Sequence, residues 1–158
     1  MINKDKLTML MEWIRPSGII LAIFLSEYCG IDPVSKLHIL GPIITILMCG
    51  TVAFESLFLG EAAAKKIGYA TNRAYQIQSG LANLAIAVTA IIVSALNWGR
   101  FADASITIVM LMFFTFSAVN HTVSIIKHKN MKRVNLMRPI FTIFLLLFLL
   151  PLIIKVVS

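Results

Sequence analysis

The chain has 158 residues, of which 59% are apolar and only 13% charged, with seven acids against fourteen bases for a net charge of +7. Soluble chains are typically about 45–50% apolar, and so few ionisable groups cannot cover a core of this size in water, so a soluble domain is excluded and lipid is expected to do the covering. Nor is the positive charge the footprint of a nucleic-acid binder, because the bases fall in short connections between apolar runs rather than as a patch on a water-facing surface.

A helix needs about 20 predominantly apolar residues to cross a bilayer. The first segment, Leu7 to Ile31, carries Glu12, Arg15, Pro16 and Glu27 among its apolar residues. We read Leu7 to Trp13 as an interfacial amphipathic turn or two, followed by a spanning helix at about 16–30 with Pro16 near its first position; one broken helix is the alternative. A signal peptide is disfavoured, since no small-x-small site follows Leu25 and Glu12 and Arg15 interrupt the run. Cys29 and Cys49, twenty positions apart with no C-x-x-C spacing, read as small packing residues.

The second span, 37–60, is apolar apart from His38 and Glu55. The connection after it opens with Glu61-Ala62-Ala63-Ala64-Lys65-Lys66 and stops at Gly68, which predicts a short helix on the membrane surface with Tyr69 as interfacial anchor. The third span, 74–98, holds no charged side chain; the fourth, 104–126, is interrupted only by His121; the fifth, 139–156, is apolar up to Lys155. With no linker and no repeat, residues 1–158 read as a single domain. The fold class is an all-α integral membrane bundle of five transmembrane helices, or four if the first segment only dips into the interface.

Lysine and arginine distribution sets the orientation. Glu61–Arg73 carries three bases against one acid, and Lys127–Arg138 five bases and no acid, whereas the alternate connections pair Lys36 with Asp32 and Arg100 with Asp103. The basic loops and the N-terminus are therefore expected in the cytoplasm, in what reads as a prokaryotic inner membrane.

Polar groups inside the membrane are costly unless they face a neighbouring helix or water. Gln76, Ser79, Asn83, Ala87, Ala90, Ser94 and Asn97 form one stripe on the third span, and Gly41, Thr45, Cys49, Ala53, Ser56 and Gly60 another on the second; such small-residue seams are ordinary helix packing, with Asn83 the exception because its amide needs partners. Glu55, Gln76, Gln78, Asn83, Asn120 and His121 all fall in the cytoplasmic half, where they can converge into one polar pocket. A carboxylate and an imidazole brought together there can move a proton, bind a cationic ligand or polarise a carbonyl. No catalytic or cofactor signature is present. A metal is not expected, since His121 and His128 are about 10 Å apart along a helix.

Phe54-Glu55-Ser56-Leu57, then Gln78-Ser79-Gly80-Leu81-Ala82-Asn83-Leu84, with Asn120-His121, Asn135 and Pro139 further on, resemble small prokaryotic membrane proteins of unknown function, loosely similar to DoxX-like bundles. The resemblance covers about the last two-thirds of the chain and implies four or five helices in a membrane, with no activity to carry over. Three functions stay open. The first is binding or transport of a small amphipathic or lipid-like ligand by Glu55, Gln76, Asn83, Asn120 and His121. The second is an enzyme using Glu55 and His121 as acid and base on a lipidic substrate. The third is an accessory subunit whose partners are membrane lipids, a second copy or another membrane protein.

Overall fold

The structure of the protein, a computed structural model, describes residues 3–158. Among them are six helices and no strand: α1 (Lys4–Cys29), α2 (Pro33–Phe58), α3 (Gly60–Ile67), α4 (Arg73–Ala95), α5 (Arg100–His128) and α6 (Arg133–Val157). All but α3 are long and apolar enough to cross a membrane, so the chain forms the expected five-span helical bundle. Following the chain back and forth, the start of α1, α3 and the connection before α6 share one end, called here the basic end. The turns after α1 and α4 share the opposite end.

The expected break before residue 16 is absent, because α1 runs unbroken through Pro16. Asn3 caps it by accepting from the Asp5 and Lys6 N–H groups at 3.0 and 3.3 Å. Pro16 deprives the Glu12 carbonyl of its helical donor, yet the turns before it are held from outside: Lys66 Nζ reaches the Thr8 carbonyl at 2.5 Å and Glu12 Oε1 at 2.9 Å. With 26 residues α1 is about 39 Å long, more than a hydrocarbon core of about 30 Å requires. Its first turns therefore lie beside α3.

The other boundaries shift for local reasons. α2 starts at Pro33 because Asp32 and Ser35 form a reciprocal capping box, with Pro33 in the first turn. α4 stops at Ala95, short of Trp98, because Asn97 (φ 47°) and Gly99 (φ 89°) take the left-handed backbone that turns the chain into α5. α6 begins at Arg133 rather than 139. Pro139 lies inside it, and the polar turn before that proline is stabilised by partners on α5 described below.

The core is built around α2, which touches α1, α3, α4, α5 and α6. Leu37, Leu40, Ile44, Met48 and Cys49 pack there with Ile19 and Ala22 of α1, Met110 and Leu111 of α5, and Leu145 and Leu149 of α6. The seam with α4 is close: a Cβ on Gly80 would stand 2.8 Å from Leu57 Cγ and 3.2 Å from Ser56 Cβ, so a larger residue would have to displace the Leu57 side chain. Outward-facing Leu147 (73% exposed), Phe24 (62%) and Ile154 (61%) continue an apolar belt. In water such a belt would drive aggregation; against acyl chains it is satisfied.

Candidate functional site

A cavity of about 350 Å³ opens at the basic end, between the last turns of α2, helix α3, the first turns of α4, the last turns of α5 and the start of α6. Its polar lining is Glu55, Gln76, Tyr69, His121 and Arg138; Phe113, Phe114 and Phe116 line it one to two turns deeper than His121 along α5. Of the five candidate ligand residues, Glu55, Gln76, Asn120 and His121 line the cavity. Asn83 does not. It is fully buried one turn deeper, its Nδ2 donating to the Ser79 carbonyl at 2.9 Å while Oδ1 has no partner among the described residues. Gln78 is exposed, since two residues beyond Gln76 is about 200° around the helix. Asn120 is exposed at the rim, whereas His121, the next residue, is buried.

Each inner polar group is held by a helix the sequence had not linked to it. Glu55 is 5% exposed and forms an ion pair with Arg15 of α1, whose Nε also donates to Thr51 Oγ1 at 2.7 Å. This pair joins two helices and is nearly closed off from the surface, so breaking it strands a buried charge. His121 is held from α6: its Nδ1 is 2.6 Å from Asn135 Oδ1, and its Nε2 is 3.3 Å from Arg138 Nη1. Asn135 Nδ2 donates to the Asn130 carbonyl at 2.9 Å, which fixes the amide so that Oδ1 faces the ring. The hydrogen-bond network then assigns the tautomer. Nδ1 carries the hydrogen and donates to Asn135, while Nε2 presents its lone pair to a guanidinium that can only donate.

Tyr69 is a correction to the expected interfacial anchor. Its ring stacks on His121 with centroids 5.4 Å apart, and its hydroxyl lies 3.0 Å from His121 Nδ1. The reversal that turns it inward is Gly68, at φ 87°, a left-handed helix end that favours glycine. Gln76 closes the remaining side, its Nε2 donating to the Gly60 carbonyl at 2.9 Å, with Oε1 buried and unpartnered among the described residues. Arg73 donates to the Ser56 and Leu57 carbonyls at 2.9 and 2.7 Å, satisfying the end of α2. Glu55 and His121 line the same cavity but share no hydrogen bond, each being engaged by its own partners. Among the described residues no cluster of His, Cys, Asp and Glu is placed to hold a metal ion.

Arg15, Tyr69, Asn135 and Arg138 were read from the sequence as topology charges, an anchor or a loop. The signal for the last two was present: once α6 is extended to Arg133, residues 135 and 138 fall three apart on one helical face. Treating Pro139 as a start hid it.

The opposite end carries a second buried carboxylate. Asp103, expected in a loop opposite Arg100, sits in the first turn of α5 at 1% exposure, with Oδ2 2.8 Å from His38 Nδ1. Arg100 lies instead over the Phe101 ring, 4.8 Å from its centroid. Lys36 pairs with Glu27, not Asp32.

No curated protein and no solved structure matches the chain, and no comparison shows the likeness to DoxX-like bundles that the motifs suggested. The model of a family described as of unknown function, DUF6790, matches residues 35–157. That stretch takes in nearly all of α2 and the helices after it, and leaves out α1, the donor of Arg15. The chain thus belongs to this family of unknown function, DUF6790.

Proposed function

We propose that the protein binds a small amphipathic or lipid-like ligand in the cavity at the basic end, as a binding or transport protein of a prokaryotic inner membrane. The basic end and the N-terminus face the cytoplasm in this reading, which rests on the excess of lysine and arginine at that end. The observation that carries it is the composition of the cavity lining: Gln76, Tyr69, His121 and Arg138 toward the basic end and three phenylalanines one to two turns deeper along α5, a division that fits a molecule with one polar and one apolar end. Asn120 at the rim and Glu55 behind the polar wall complete the lining. An acid–base role for Glu55 and His121 is less well supported, since Glu55 is neutralised by Arg15 and His121 is fixed between Asn135 and Arg138.

The test is purification in mild detergent followed by solvent extraction and mass spectrometry of co-purifying small molecules. Wild-type protein is expected to carry a defined amphipath above the detergent and bulk-lipid background. Ser117→Phe, which places a ring in the cavity, is expected to lose it while melting at a similar temperature. Wild-type protein that carries only bulk lipid, in the same proportions as Ser117→Phe, would rule the binding reading out.

A further inference from the structure

The charges around the cavity do not balance. Glu55 is committed to Arg15, and Glu12 answers Lys66 at 2.9 Å. Arg138 is left over: among the described residues it has no ion-pair partner, and the side-chain contact it makes is the 3.3 Å one from Nη1 to His121 Nε2. Arg15, Glu55 and Glu12 are near enough for their charges to act on Arg138; with Lys66, which pairs with Glu12, three bases stand against two acids, leaving one positive charge in excess. His121 supplies a lone pair to the guanidinium but no negative charge. A guanidinium has five N–H donors in a planar fork, so most of this fork is unused at the cavity wall. An uncompensated cation at the edge of hydrocarbon is costly, and a planar fork matches the two oxygens of a carboxylate or phosphate.

A second donor stands beside it. Because His121 Nδ1 carries its own hydrogen toward Asn135, it cannot accept from the Tyr69 hydroxyl 3.0 Å away. The hydroxyl hydrogen is therefore free to turn toward the cavity that Tyr69 lines. Building on the binding reading above, we infer that the ligand's head group is an oxyanion, a carboxylate or a phosphate, received by Arg138 and the Tyr69 hydroxyl, with its apolar tail against Phe113, Phe114 and Phe116.

Four probes separate the terms of this inference on wild-type protein in detergent, followed by calorimetry and thermal shift: oleoyl lysophosphatidate, oleate, monoolein and inorganic phosphate. Oleoyl lysophosphatidate and oleate are expected to bind at least about tenfold tighter than monoolein, the scale of a charge-assisted hydrogen-bonded pair, and phosphate alone only weakly. Arg138→Gln is expected to remove that preference and Arg138→Lys to keep part of it, with monoolein binding unchanged in both. Equal binding of monoolein and the charged amphipaths by wild-type protein would overturn the oxyanion inference and leave the amphipath reading standing. Phosphate binding as tightly as lysophosphatidate would keep the oxyanion and overturn the tail. Binding of none of the four would overturn both readings. Because the first comparison is made on wild-type protein, poor folding of a variant does not decide it.

Discussion

The two ends of the bundle use the same ingredients to different effect. At the opposite end, the Asp103 carboxylate meets His38 through Oδ2 while its Oδ1 is buried without a partner among the described residues, Glu27 meets Lys36, and Asp32 caps the start of α2. At the basic end Glu55 meets Arg15, but Arg138, the Tyr69 hydroxyl and Gln76 Oε1 remain incompletely used around a cavity. Both ends hold a buried carboxylate, so the carboxylate is not what distinguishes them. What differs is that Glu55, at the basic end, lines a cavity of about 350 Å³. Unpartnered polar atoms occur at both ends; those beside empty space are the ones a ligand can complete.

The sharpest way to break this comparison is to remove Glu55. Glu55→Gln leaves Arg15 without its counter-charge in a site where the two side chains are only 6% and 12% exposed, so a loss of about 3 kcal/mol is expected in unfolding from detergent micelles. The double change Arg15→Met with Glu55→Met is expected to recover most of it, since an apolar pair needs no hydration. If Glu55→Gln unfolds like wild type, the pair is not structural and the carboxylate belongs to the site instead.

A smaller effect tests the other end. Asp103→Asn weakens the hydrogen bond to His38, and a loss of about 2 kcal/mol is expected for a buried charge-assisted bond, measured by the same unfolding assay. Amphipath binding should be untouched. Loss of binding in this variant would show that the two ends act as one system.

The smallest effect concerns the cap of α2. The Ser35 backbone N–H and hydroxyl hold the Asp32 carboxyl below its ordinary value of 3.8. A carboxyl depressed on folding stabilises the fold above its unfolded value, and that contribution fades as pH falls through the lower, folded value. Asp32→Ala is therefore expected to lower the melting temperature slightly at neutral pH and to flatten the acid limb of a melting-temperature profile, while Asp32→Asn, still able to cap, changes the neutral value least. An unchanged acid limb in Asp32→Ala would remove Asp32 from the account.

Much of this fold was legible because lipid imposes one strong rule, a long apolar run for each crossing, and each of the five spans contains such a run. Prolines misled at the boundaries. Pro16 and Pro139 both read as helix starts, yet each lies inside a helix whose earlier turn is polar and held by tertiary partners, Lys66 in one case and His121 in the other. Those partners are distant in sequence, so local reasoning had no access to them. The candidate site was legible in the same proportion. Residues within apolar runs, Glu55 and His121, stood out by contrast, while Arg15 and Arg138 were hidden among the bases that orient the chain. Asn83 was selected for its depth, and depth alone does not say which helix an amide faces.

Helix α3 is bolted from both sides, by Lys66 to Thr8 and Glu12 on α1 and by Asn130, whose Nδ2 donates to the Ile67 and Gly68 carbonyls at 3.0 and 3.2 Å. It covers part of the cavity, whose exposed lining residues are Ala70 and Asn72 in the connection after α3 and Tyr75, Phe116 and Asn120 on α4 and α5. A guest entering on the α4–α5 side would arrive from within the leaflet. Occupancy would then follow the guest's mole fraction among the surrounding lipids, so diluting the protein in buffer would change nothing, whereas diluting the guest with inert phospholipid would empty the chamber.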